Sequence, residues 1–276
     1  MSQKIFVKIA SLDDSELKHT IYNAVHSAEE PDRLVFGIFL NYKNNVAKEE
    51  LEDYVSELCK YSYFKLRITT YSEEFIGVGK ARGLVDDMYS DEDYILQIDA
   101  HTWFAENWDT TLINLLKETS NKTILTGYAT PYKYINNIRI PEQHGFLLPQ
   151  YTNKNIWNDW TTNWTLVKPT NDVDFIDTKF CANFAFSSKE WGAYSGLHKQ
   201  SVFWSEEPLQ TINLLNNDFK LLYPNINEPV IGHLYSEDIV GELGKRLTIE
   251  QSVGEEKAEY LMNVVDRNVY LDFFRV

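Results

Sequence analysis

The chain has 276 residues, with 41 Asp and Glu against 26 Lys and Arg, for a formal charge of −15. That length can bury a large core as one big domain or two small ones, and a composition of 43% hydrophobic and 14% aromatic residues excludes a wholly disordered chain. The acidic balance opposes passive binding to nucleic acid or anionic membrane, and no window reaches the ~18 unbroken apolar residues of a membrane-spanning helix. Cys59 and Cys181 are too few for a disulfide framework or a Cys-rich zinc site. Met1-Ser2-Gln3-Lys4 leads straight into an apolar strand with no leader pattern, so a soluble protein of a reducing, cytoplasmic compartment is expected.

In chain order, Ile5–Ala10 reads as a buried strand, followed by a polar turn at Ser11-Leu12-Asp13-Asp14. Leu17, Ile21, Ala24, Val25 and Ala28 recur at helical spacing, and Asp13 with Glu16 resembles an acidic capping box. Pro31 ends that helix. Strands at Leu34–Leu40, Lys65–Thr70 and Tyr94–Ile98 alternate with helical stripes at Leu51–Cys59 and Val78–Met88, which predicts a parallel sheet covered by helices. A helix through Leu112, Leu115 and Leu116 precedes a strand at Thr123–Tyr128. Residues 131–170, rich in Asn, Tyr, Trp and Pro, show no regular period and read as a functional insertion. Within it, Trp157, Trp160 and Trp164 share one face of a helix, either as a packing stripe or as an aromatic binding platform. Tyr132, His144 and Gly145 are candidate binding-loop residues. Strands follow at Phe175-Ile176, Phe180–Phe186 and Leu221–Pro224, with a helix opening at Ser205-Glu206-Glu207-Pro208 and another from about Glu250 to Val265. No internal repeat or low-complexity linker divides the chain, so one domain is expected.

The sharpest chemical signal is Tyr94-Ile95-Leu96-Gln97-Ile98-Asp99-Ala100-His101, an apolar strand ending in Asp-x-His. Side chains two apart on an extended strand face the same way, so Asp99 and His101 can converge on one ion at a strand's carboxyl end, where open α/β sheets bind ligands. A carboxylate oxygen with an imidazole nitrogen suits Mn²⁺ or Mg²⁺, leaving positions for phosphate oxygens. The plainer reading is a turn-capping Asp and a surface His. Neither a P-loop nor a G-x-G-x-x-G fingerprint is present, so kinase and dinucleotide readings lack their key part. Glu206 and Glu207 either complement the helix dipole or face a bound ligand, accepting hydrogen bonds from its hydroxyls or acting as a base. Trp204 either stacks on a ligand or packs in the core.

Gly77-Val78-Gly79-Lys80-Ala81-Arg82, the Asp93–Phe104 stretch and Trp108-Asp109 together resemble a family of nucleotide-sugar-dependent glycosyltransferases. The family includes the N-acetylglucosaminyltransferase of Skp1 hydroxyproline, and a related signature occurs in polypeptide N-acetylgalactosaminyltransferases. The resemblance extends from Ile5–Ser11 to Gly232-His233-Leu234-Tyr235 and includes Ser205-Glu206-Glu207. It implies a GT-A fold: a single α/β domain over 1–276, with a mostly parallel nucleotide-binding sheet flanked by helices and an acceptor-side insertion. Residues 1–110 would form the nucleotide-sugar half, 111–240 the acceptor half and 241–276 a tail. It also implies transfer with retention and a divalent metal held by Asp99, His101 and His233. Ala10 and Ser11 would lie beside the nucleobase and ribose, and Arg82 would reach the donor. The expected substrate-binding set is Ala10, Ser11, Arg82, Gln97, Asp99 and Trp204; the expected catalytic set is Glu207, Glu206 and Asp99. A divalent ion fits the chemistry independently, because breaking a sugar–diphosphate bond develops negative charge on the leaving nucleotide.

The activity expected is therefore that of a metal-dependent hexosyl- or pentosyltransferase moving sugar from a nucleotide sugar, with UDP favoured, to a hydroxyl on protein or glycan. A second reading is a phage enzyme that glycosylates a hydroxymethylated base of DNA in the host cytoplasm. A third, of another class, is a non-catalytic glycan-binding domain, against which the intact Asp99, His101 and His233 argue.

Overall fold

Along the first strand Ile5, Val7 and Ile9 alternate with Phe6, and the fold places the two sets in different cores. The computed structural model describes residues 3–12, 14–42, 49, 53–54, 65–72, 77–151, 164–168, 173–192 and 206–235. Its central sheet contains β1 (Ile5–Leu12), β2 (Leu34–Tyr42), β3 (Lys65–Ser72) and β4 (Tyr94–Asp99), all parallel. β6 (Thr123–Thr126), β11 (Phe175–Asp177), β12 (Phe184–Ser188) and β13 (Lys220–Pro224) extend it to eight strands in the order β11-β13-β6-β12-β4-β1-β2-β3. β12 runs antiparallel to both β4 and β6, so the sheet is mixed where its two halves meet.

Helices α1 (Leu17–Ser27) and α3 (Trp108–Lys117) cover one face, where Leu17, Ile21, Ala24, Trp108 and Leu112 meet Ile5, Val7, Phe36 and Leu96. Helices α2 (Val78–Asp86) and α4 (Glu206–Asn216) cover the other, where Ala81, Val85 and Leu214 meet Phe6, Val35 and Ile95. Among the described residues, no helix is long and apolar enough to cross a membrane.

The Trp108-Asp109 pair joins the two ends of α1 and α3. Trp108 is fully buried and donates from Nε1 to Ala24 O at 2.9 Å. The Asp109 carboxylate, also fully buried, accepts the N–H groups of Glu29 and Glu30 and lies 3.5 Å from Arg33. This part of the signature therefore sets the depth of α3 against α1.

The stretch from 131 to 170 differs from the expectation of an aperiodic insertion. It contains β7 (Thr130–Ile135), β8 (Ile138–Pro141), β9 (Leu148–Tyr151) and β10 (Trp164–Val167), paired antiparallel as β7·β8 and β9·β10. Positive φ angles of 51° and 63° at Asn136 and Asn137 close the first pair with a two-residue turn, a geometry asparagine tolerates. Short strands set by non-local pairing leave too little periodicity to read. Trp164 lies in β10 rather than on a helix, while Trp157 and Trp160 lie outside the described residues. β5 (Thr102–Phe104) and β14 (Ile231–His233) join β7 and β8 in a second sheet, ordered β5-β14-β7-β8.

Two further boundaries shift. β1 runs through Ser11 and Leu12, and β12 begins at Phe184, with Phe180 to Asn183 before it as loop and turn. Helix α1 has no side-chain cap; Glu16 instead accepts from Tyr132 and Tyr134 and pairs with Arg139, tying the helix start to the β7–β8 hairpin. The proposed helix over 51–59 lies almost wholly outside the described residues, and the one near 250–265 entirely so. Cys181 is buried and free, and burial pushes its thiol well above the usual cysteine range, which makes it an inert core group.

Thr20 fixes the turn that follows β4. Its buried hydroxyl accepts the Thr102 N–H at 2.9 Å and donates to Ala100 O, 2.7 Å away, with Thr102 O at 3.0 Å. Thr20→Val keeps the shape and strands the Thr102 N–H, so it should lower unfolding free energy by about 1–3 kcal/mol, measured by urea denaturation.

Candidate active site

The carboxyl ends of β1 and β4 are in register, with Ala10 opposite Asp99. Strand β4 stops at Asp99, so the same-face argument for Asp99 and His101 does not hold past that residue. A tight turn brings them together instead: Thr102 Oγ1 donates to Asp99 O at 2.7 Å, and Thr20 anchors the next peptide. His233 arrives from β14, the middle partner between β5 and β7, with its main chain paired to Thr102. The side-chain ligand atoms of Asp99, His101 and His233 all lie within 4.8 Å of one another.

Within this cluster His101 Nε2 stands 2.9 Å from His233 Nε2, and His233 Nε2 stands 3.0 Å from Asp99 Oδ2. Two ring nitrogens and a carboxylate oxygen thus point at one volume. His101 Nδ1 is already engaged by Asp14 Oδ2 at 2.7 Å, which turns its Nε2 edge toward His233 and Asp99. An O,N,N donor set of this kind fits a borderline divalent ion such as Mn²⁺. His233 is buried, but its polar edge faces Asp99. The apolar residues around it in sequence form the strand that aims it.

Arg82 is buried, 3% exposed, between Asp99 and Glu206. Its Nη2 reaches Asp99 Oδ1 at 2.5 Å and its Nη1 reaches Glu206 Oε1 at 2.7 Å, so one guanidinium forks between two carboxylates from β4 and α4. Burial opposes the charge on Arg82, yet Glu206 and Asp99 outweigh it and hold the group above its ordinary pKa. Burial likewise pushes the Asp99 carboxyl up, but the His233 hydrogen bond and the Arg82 charge prevail and hold it well below the usual carboxylate range. These contacts favour the carboxylate form of Asp99, the form that a cation would need. Burial lowers His101, and the Asp14 hydrogen bond and the Asp99 charge raise it above the histidine norm. Burial dominates at His233 and lowers it.

Glu207 has both oxygens in use. Oε1 accepts the Ala182 N–H at 2.9 Å, while Oε2 accepts Tyr128 Oη–H at 2.7 Å and pairs with Lys179. Gln97 is fully buried, with Nε2 donating to Ala182 O at 3.1 Å, so it joins β4 to the same loop. Ser11 is buried at the end of β1, and its Oγ has no hydrogen-bond partner among the described residues. Trp204 lies outside the described residues, as does Ser205. Tyr132 is buried against Glu16, His144 bonds to Glu142, and a Cβ at Gly145 would sit 2.0 Å from Ile226 O, so the glycine there serves close packing.

Sequence reading missed Asp14, Lys179, Tyr128 and Asn183. Asp14 contacts a residue 87 positions away, and nothing in its local sequence marks it beyond being a carboxylate after a strand. Asn183 donates to Tyr235 Oη at 3.0 Å, and the Tyr235 ring lies 4.3 Å from that of His233.

The mixed α/β fold is that of GT-A glycosyltransferases. GalNAc-T7 with UDP, GalNAc and Mn²⁺ matches with a TM-score of 0.64 at 16% identity, over 84% of this chain and 43% of that one. A mannosyltransferase of Pyrobaculum calidifontis, PcManGT, in complex with GDP-Man and Mn²⁺, matches with a TM-score of 0.54 at 10% identity, over 86% of this chain and 58% of that one. TarS 1–349 of S. aureus matches with a TM-score of 0.50 at 12% identity, over 84% and 60%. At such identities the likeness shows the fold, and the chain spans only about half the length of these proteins. No curated protein matches it. The family model described as Glycosyltransferase (GlcNAc) matches residues 67–263, well over half the chain. The protein belongs to that family.

Proposed function

We propose that the protein transfers a hexosyl group from a UDP-sugar to a hydroxyl acceptor with the help of a divalent metal, best Mn²⁺. The observation that carries this reading is the convergence of Asp99, His101 and His233 at the carboxyl ends of β1 and β4. A metal bound there supplies Lewis-acid neutralisation of the charge that develops on the diphosphate. The protein's own residues do the positioning. Arg82 holds Asp99 ionised and oriented. In this reading Ala10 and Ser11, near the end of β1, lie beside the nucleoside, and the buried Ser11 hydroxyl, without a hydrogen-bond partner among the described residues, is a group a ribose or base could engage.

The bond from the sugar anomeric carbon to the phosphate oxygen breaks with its electron pair going to the diphosphate. The acceptor oxygen bonds to that carbon, and its proton passes to a phosphate oxygen. We read the transfer as retaining, because neither of the two acids expected to serve as the carboxylate base of an inverting reaction is free. Glu206 is bound by Arg82, and Glu207 by Lys179, Tyr128 and the Ala182 N–H. In this reading both act as struts of the site rather than as bases. The acceptor in this reading is a hydroxyl of a protein or glycan.

Calorimetric titration with UDP-sugars and an assay of UDP release should show binding and turnover that require Mn²⁺ and vanish with EDTA. Absence of UDP-sugar binding in the presence of metal would overturn the reading, and tight glycan binding without UDP release would make the protein a binding module. Transfer to hydroxymethylated DNA alone would move the acceptor to nucleic acid.

A further inference from the structure

We propose that Asp14 is a positioning residue that sets the tautomer and orientation of His101; the metal-related half of this inference rests on the function proposed above. Three observations carry it. His101 Nδ1 lies 2.7 Å from Asp14 Oδ2. The other oxygen, Oδ1, accepts the Glu16 N–H at 2.8 Å, which fixes the plane of the carboxylate. The loop that carries Asp14 is fixed as well, since Leu17 N–H bonds to Asp14 O and the Glu16 side chain is held by Tyr132, Tyr134 and Arg139.

A carboxylate has only lone pairs to offer, so His101 Nδ1 must carry the hydrogen. The Nε2 lone pair is then obliged to face Asp99 and His233. The opposite tautomer would set the Nδ1 lone pair against the Asp14 charge and place an N–H where a cation belongs. The bond to a carboxylate also enriches the imidazole in electron density, which makes Nε2 a better donor to a metal. His233 is built differently. Its Nδ1 is buried with no hydrogen-bond partner among the described residues, and its ring is oriented by β14 pairing and by the Tyr235 ring 4.3 Å away. His101 is thus oriented through Nδ1 by a carboxylate, whereas His233 has no such partner at Nδ1 among the described residues and meets the Asp99 carboxylate through Nε2.

The test uses Asp14→Ala and Asp14→Asn in the full chain, with two readouts. Long-range ¹H–¹⁵N NMR of the metal-free protein, at a pH where histidine is neutral, should find His101 as the Nδ1–H tautomer in the unaltered protein and as Nε2–H in Asp14→Ala. Mn²⁺ titration followed by electron paramagnetic resonance, without nucleotide, should show affinity weakened about 10–100-fold in Asp14→Ala. Asp14→Asn, with one acceptor oxygen in place of two, should also bind Mn²⁺ more weakly while its circular dichroism stays that of the parent. An Nε2–H tautomer in the unaltered protein overturns the proposal, as does Mn²⁺ affinity in Asp14→Ala equal to the parent's. If the parent protein binds no Mn²⁺, the proposed function fails, and the NMR result still decides what Asp14 does to His101.

Discussion

Asp99→Asn should lower Mn²⁺-dependent UDP release from a UDP-sugar by roughly 10³-fold or more, with the fold preserved. The side chain keeps its shape and loses its charge. Asp99 is the one carboxylate in the proposed ligand set, and it is the point where the cation site meets Arg82. Removing its charge takes away the anionic ligand and leaves two neutral imidazoles, a set with much weaker hold on a hard or borderline cation. Glu206 still pairs with Arg82, so the guanidinium is not abandoned in the core. The expected pattern is weakened metal binding and lost turnover, with far-ultraviolet circular dichroism unchanged. Undiminished turnover would remove Asp99 from the site.

Arg82→Ala should destabilise the protein by about 3–5 kcal/mol, because it strips the partner from a buried carboxylate. Arg82 and Glu206 are each almost fully buried, with side-chain exposures of 3% and 2%, while Asp99 retains 27%. Deleting the guanidinium thus isolates Glu206 most severely and frees Asp99 to reorient. Arg82→Lys should be nearly as harmful, since one ammonium group cannot span both partners as the planar fork does. A urea series should show a lower midpoint with an unchanged slope. A double variant, Arg82→Met with Glu206→Gln, should recover much of the loss, because no unpaired charge is then left between α2 and α4. Equal midpoints for the parent and Arg82→Ala would contradict the buried-fork account.

How far the sequence discloses this protein depends on how local each signal is. The alternation of Ile5, Val7 and Ile9 with Phe6, and the helical stripes of α1 to α4, are period-2 and period-3.6 signals that tertiary contacts reinforce, so the α/β core is readable. The β7–β10 hairpins are not readable, since strands of four to six residues take their form from partners such as β14. Asp99 and His101 stand out because they are two residues apart after an apolar run. Their convergence depends on a turn held by Thr20, which no spacing rule contains. Arg82 is marked by the family resemblance, but its burial is set by Glu206, 124 residues later. The contacts that bring Asp14, Lys179 and Tyr128 to the site are to residues 28 or more positions away, and such contacts leave no local pattern.

The most direct test of the central claim is crystallographic. Crystals grown with Mn²⁺ and UDP, measured at wavelengths on either side of the manganese absorption edge, would locate the ion by anomalous difference. The account predicts a single manganese peak bonded to Asp99, His101 Nε2 and His233 Nε2, with the diphosphate completing its coordination. UDP bound without manganese there, or manganese held by other residues, would contradict it.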